Sequence, residues 1–178
     1  MKDLNKRMKE QYEGRSDFYL ARRCYAILRM KIYPNVDLEK HLNSLVNFAN
    51  FVPNLQMGFT QGNEVSFLFC DFWKPNTQQW LDGNIQAISS LSSSYLTSFL
   101  CSEGLENFYV KAKCFNIPDS VEVYNYFLGR QSFSKDNLGF TILRYKKFVA
   151  IKSPNFKEDK EFLTMLLPRY PKLDKYDS

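Results

Sequence analysis

Residues 56–72, QMGFTQGNEVSFLFCDF, decide the fold. Two runs, Gln56 to Thr60 and Glu64 to Phe72, flank the polar turn Gln61-Gly62-Asn63, which is the pattern of a hairpin. The second run is almost continuously apolar and suits a strand at the centre of a sheet. Upstream, Cys24 to Ile32 (CYAILRMKI) reads as another buried strand, broken at Pro34-Asn35. Asp37 to Asn50 then places Leu38, His41, Leu42, Leu45, Val46 and Ala49 on one face, which predicts a helix with Asp37 as its N-cap. Downstream, Asp82 to Cys101 is a long helical pattern with Asp82 as cap, and its small residues Ser89 to Ser94 suit close packing. Phe108 to Ile117 follows as a strand, ended by Pro118-Asp119-Ser120. Val121 to Arg130 is a helix capped by Asp119 or Ser120. The order β-α-β-β-α-β is the split β-α-β arrangement of ferredoxin-like domains, an α+β fold with a mostly antiparallel sheet and packed helices.

The flanks add less. Lys2 to Arg23 predicts a helix and an extended lead-in. Phe140 to Ile151 predicts a strand or hairpin, Lys157 to Leu167 a short helix, and Pro168 to Ser178 a polar tail. With 178 residues, 44% of them hydrophobic and 16% aromatic, the chain suits one well-filled domain over 1–178 rather than two cores. No run reaches the roughly 18–20 apolar residues of a membrane span. The charged opening MKDLNKRMKEQYEGR lacks the apolar core of a signal peptide, so a cytoplasmic protein with no membrane contact is expected.

Composition also narrows the chemistry. Cys24, Cys70, Cys101 and Cys114 are widely spaced, and His41 is the single histidine, so neither a zinc site nor a His-based triad is expected. The four thiols read as reduced and mostly buried. Asp71 and Asp82 read as structural. A net charge of +5 suits phosphate contact without requiring it. The abundance of Asn, Lys, Phe and Tyr is compatible with an AT-rich genome, such as that of a virus.

Three blocks, in order, resemble the tRNA-His guanylyltransferase (3′–5′ polymerase) family over residues 1–137, with 138–178 a divergent C-terminal extension. MKDLNKRMKEQYE…YLARRCYAILRMK resembles the charged helix, Arg-rich turn and strand that lead to the family's R-L-D-G. MGFTQGNEVSFLF resembles the T-Q-S-D-E hairpin, and WLDGNIQAISSLSSSYLTSF the helix after it. VKAKCFNIPDSVEVYNYFLGRQSFSKDN resembles the block that opens F-D-x-R and closes around W-R-Q. The resemblance implies a shortened member with a polymerase palm. It also implies phosphoryl transfer at two Mg²⁺ ions, which need carboxylates on adjacent strand ends.

The matched positions depart where those carboxylates belong. The Asp of R-L-D-G falls on Lys31 and the following Gly on Ile32. The Asp of T-Q-S-D-E falls on Asn63, while Gln61 and Glu64 are kept. The Asp and Arg of F-D-x-R fall on Lys111 and Lys113. Gly129 stands for the Trp of W-R-Q, Arg130, Gln131 and Asn137 are kept, and the next Asp falls on Phe133. Lys31, Gln61, Asn63 and Glu64 are therefore the candidate nucleotide-binding residues, and Lys111, Lys113, Arg130, Lys135 and Asn137 the candidate RNA-binding ones. No catalytic residue and no cofactor is expected. Mg²⁺ enters only if the ancestral activity survives, with Glu64 as the remaining ligand.

The leading expectation is a guanylyltransferase-like protein with a degenerate two-metal site. It would bind RNA (tRNA first), a nucleoside triphosphate or a protein partner. The alternatives are an active 3′–5′ nucleotidyltransferase acting on the 5′ end of tRNA, and an interaction or inhibitor module. The resemblance also implies self-association as a homo-oligomer.

Overall fold

The computed structural model describes residues 2–71, 77–131, 140–144 and 150–153. At its centre is the expected hairpin. Strands β2 (Leu55–Gln61) and β3 (Glu64–Cys70) run antiparallel, with Gln61 opposite Glu64 and only Gly62 and Asn63 between them. Gly62 sits at φ +63°, the left-handed backbone that such a two-residue loop needs at its first position. On its other edge β3 pairs with β1 (Tyr25–Tyr33), and β1 pairs with β4 (Tyr109–Ile117), both antiparallel. Beyond β2 the stretch expected as a strand or hairpin is a hairpin, β5 (Phe140–Arg144) and β6 (Ala150–Ser153), which extends the sheet to the order β4-β1-β3-β2-β5-β6. Phe72, the expected helix 157–167 and the tail 168–178 lie outside the described residues.

Alternation along each strand gives the sheet two unlike faces. Helices α2 (Leu42–Phe51) and α3 (Ile85–Ser102) cover one of them. Leu28, Met30 and Ile32 of β1 and Val65 and Phe67 of β3 meet Leu45, Phe48, Ile88, Leu96 and Leu100 there, all buried. Neither helix carries a charged residue. Along α3 the hydroxyls of Ser93, Ser94, Thr97 and Ser102 donate to carbonyls four residues earlier at 2.6–3.0 Å, so much of its polar face is turned back on its own backbone.

The caps differ in part from expectation. Asp82 does not cap α3. Leu81, Asp82 and Gly83 lie in succession at φ 52°, 55° and 71°, and this left-handed turn hands the cap to Asn84. The Asn84 side chain accepts from the Ala87 amide at 2.9 Å. The turn also pairs with the lead-in, Leu20 N donating to Gly83 O at 2.7 Å and Ile85 N to Phe18 O at 2.9 Å. Asp37 caps a 3₁₀ turn (Leu38–His41) rather than α2 itself, accepting from Glu39 N at 3.1 Å. Of the two candidates before the last helix, Asp119 is the cap, accepting from Glu122 N at 2.8 Å.

Among the described residues, helices cover only half of the second face. Helix α1 (Lys2–Met8), continued by a π-helical turn (Lys9–Glu13), packs with α4 (Ser120–Gln131) over Tyr25, Ile27, Phe115 and Ile117. Gly129 permits that approach. A Cβ there would stand 2.7 Å from Asn5 Oδ1, and Asn5 Nδ2 donates to the Gly129 carbonyl at 2.8 Å. An indole at 129 would displace α1. A charged clamp fixes the same pair of helices. Arg7 donates to Glu122 at 2.6 and 2.8 Å, and Tyr12 and Asn125 add hydrogen bonds at 2.7 and 3.0 Å.

The Arg7 hydrogen bonds, opposed by burial and helped by Tyr12 and Asn125, pull Glu122 from 4.5 down to about 2. The folded value lies below the unfolded one. The clamp therefore contributes stability above about pH 4.5, and that contribution is lost as the pH falls towards 2. Arg7 is about one-third exposed and screened, so the expected size is about 1 kcal/mol. In urea unfolding, wild type should exceed Glu122→Gln by this amount at pH 6, and the gap should close near pH 2.

Candidate nucleic-acid interface

Where α1 and α4 stop, the open half of the sheet becomes a cleft of about 570 Å³. Strand register fixes what lines it. Directly opposed residues of neighbouring strands share a face, so three rows cross from β4 to β1: Lys113 with Arg29, Lys111 with Lys31, and Tyr109 with Tyr33. The middle row continues through Glu64 of β3 to Gln61 of β2, and the first through Ser66 to Phe59. The sequence candidates Lys31, Gln61, Glu64 and Lys111 thus form one line, although their numbers span 80 positions. Lys6, Lys9 and Glu13 line the wall formed by α1, and Arg130 of α4 lies against the floor.

Glu64 is fully engaged. Arg130 grips it with two parallel hydrogen bonds, Nη2 to Oε1 at 2.5 Å and Nε to Oε2 at 3.0 Å. Lys31 Nζ and Arg29 Nε approach the same Oε1 at 3.9 and 4.0 Å. Arg29 in turn ion-pairs with the buried Glu13 and reaches the Tyr126 hydroxyl at 3.5 Å, while Tyr126 and Ser66 share a hydrogen bond of 2.8 Å. Burial acts against the charge on Arg29, but the carboxylates of Glu13 and Glu64 more than offset it and hold its pKa above the usual value. Burial raises the Tyr126 phenol, so it remains a neutral member of the network. Arg130 is 7% exposed, which makes it a brace under the cleft and not a surface cation.

The charge balance around the cleft is one-sided. Lys6, Lys9, Arg29, Lys31, Lys111, Lys113 and Arg130 stand against Glu13 and Glu64. Lys111 and Lys113 are exposed, and neither has an ion-pair partner among the described residues. Asn63 is used differently. Its Nδ2 donates to Ile32 O at 2.9 Å, and Ile32 N donates to Asn63 O at 2.9 Å, so it ties the hairpin to the end of β1. Lys135 and Asn137 lie outside the described residues. His41 is far from this face, bonding Glu103 at 3.1 Å beside α2.

The donor set does not fit Mg²⁺. A hard divalent ion needs several oxygen ligands, mostly carboxylates. Here Lys31 holds one implied ligand position, the Asn63 amide is turned to a carbonyl, and both Glu64 oxygens are taken by Arg130. Among the described residues no three His, Cys, Asp or Glu side chains gather as a metal site.

Solved structures decide the fold. A bacterial tRNA(His) guanylyltransferase-like protein in complex with GTP superposes with a TM-score of 0.64 at 18% identity, over 92% of this chain and 97% of that one. The chain has the guanylyltransferase-like palm fold. The ATP complex of such a bacterial protein agrees, with a TM-score of 0.64 at 17% identity, over 93% of this chain and 97% of that one. No protein-family profile and no curated protein matches the sequence. Within the described residues, no helix of this guanylyltransferase-like palm is long and apolar enough to cross a membrane.

Several residues of the cleft escaped the sequence reading: Lys6, Lys9, Glu13, Arg29, Tyr33 and Tyr109. For three of them, Arg29, Tyr33 and Tyr109, a signal existed. Arg29-x-Lys31-x-Tyr33 and Tyr109-x-Lys111-x-Lys113 each recur with period two, the mark of one strand face. Glu13 and Lys9 had none, because their position depends on how α1 docks.

Proposed function

We propose that this chain is a metal-independent RNA-binding protein, with tRNA as the first candidate, built on a guanylyltransferase-like palm. One observation carries the reading. Arg130 neutralises the remaining carboxylate of the floor, Glu64, and Lys111 and Lys113 face the cleft without carboxylate partners among the described residues. Compact ammonium groups on a rigid sheet suit phosphate oxygens, and their binding releases counterions from the nucleic acid. Nucleoside triphosphates present the same chemistry and should compete for the same lysines. Solved neighbours with this fold include GTP and ATP complexes.

The test is a tRNA titration by fluorescence anisotropy over a range of salt, with Mg²⁺ and with EDTA. Phosphate contacts from Lys111 and Lys113 alone predict a log–log salt slope of about −1.5 to −2, and EDTA should not weaken binding. Incubation with labelled nucleoside triphosphate, Mg²⁺ and 5′-phosphorylated tRNA should transfer nothing. Transfer that disappears in Glu64→Ala would overturn the reading in favour of an active nucleotidyltransferase.

A further inference from the structure

We propose, resting on the RNA-binding reading of the cleft, that Tyr109 and Tyr33 form a stacking platform for an unpaired base, so that the cleft takes a single-stranded RNA end in preference to a duplex. The two rings are stacked at 5.2 Å between centroids and 20° between planes. They form the row next to Lys31 and Lys111 on the same sheet face. Tyr109 is 62% exposed, whereas Phe67 and Phe115 of the same sheet are buried. One side of its ring faces Tyr33, and its exposure leaves surface for a second partner.

Spacing supports a single strand. Residues two apart on a strand are separated by about 6.6 Å, on the order of one nucleotide step of an extended chain. A base on Tyr109 therefore sets the next phosphates over the Lys111–Lys31 and Lys113–Arg29 rows. A duplex offers no free base face except at its ends, and its width does not follow a single strand pair. Ring stacking tolerates any base, so the platform selects unpaired over paired RNA without reading sequence.

The experiment compares three probes by anisotropy: a short oligoadenylate, the same strand with an abasic terminal nucleotide, and a duplex of equal length whose two ends are closed by non-nucleotide linkers. Wild type, Tyr109→Ala, Tyr109→Phe and Lys111→Ala are measured against each. Tyr109→Ala should weaken the intact strand about tenfold, leave the duplex unchanged, and cost nothing further on the abasic strand. Tyr109→Phe should bind as wild type. Equal loss on strand and duplex, or no loss on either, overturns the platform. If Lys111→Ala still weakens all probes, the RNA-binding reading survives that failure. If Lys111→Ala is also silent, both fall.

Discussion

Arg130→Ala should lower the stability of the protein by about 3–5 kcal/mol, the largest effect of any single surface-to-floor change in the cleft. Arg130 and Glu64 are 7% and 12% exposed, so water replaces little of what the guanidinium supplies. Without it both Glu64 oxygens lose their hydrogen bonds. Lys31 and Arg29, at 3.9 and 4.0 Å, are too far to replace them. Arg29 is already committed to Glu13, whose burial needs that partner. Urea denaturation measures the loss. The double variant Arg130→Met with Glu64→Met should recover more than half of it, because no charge is then stranded in the floor. A single-variant loss below about 1 kcal/mol would mean that the pair behaves as an exposed ion pair.

Lys111→Glu should move binding and stability in opposite directions. Lys111 faces Lys31 directly across the β1–β4 ladder, and Lys113 faces Arg29 in the next row. Like charges in such register repel, and replacing one by its opposite is expected to stabilise the free protein by about 0.5–1 kcal/mol. The same change removes one phosphate contact and adds a repulsion. Affinity for tRNA at low salt should fall about 100-fold, and the salt slope should shrink by about one. Melting temperature and anisotropy on the same preparation check both halves, with Lys40→Glu, on the 3₁₀ turn before α2, as a charge-matched control. A less stable variant with unchanged affinity would make the row ordinary solvated surface.

Much of the fold was legible because it is written in local patterns. The hairpin around Gly62, the apolar β1 and β3, and the long α3 each follow from periodicity and turn chemistry within about 20 residues. The cap of α3 was misread for a local reason of another kind. Asp82 and Asn84 are both good N-caps, and only the left-handed turn through Leu81, Asp82 and Gly83 decides between them. The candidate residues could be named from the sequence, Lys31, Asn63, Lys111 and Lys113 as altered positions and Glu64 as a kept one, but their arrangement could not. That Glu64 belongs to Arg130, 66 residues away, depends on sheet register and on where α4 crosses it. That Asn63 faces Ile32 and not the cleft depends on the hairpin tip, which its residue type alone does not reveal.

The uncharged layer of α2 and α3 has a kinetic consequence. With no charged side chain between Leu42 and Phe51 or between Ile85 and Ser102, and with lysines crowded on the opposite side of the sheet, the described part of the molecule is electrically lopsided. A polyanion diffusing towards it feels a torque before contact and meets the lysine side first. Fewer collisions are wasted on the wrong orientation. Added salt should therefore slow association much more than it hastens release, and stopped-flow mixing separates the two.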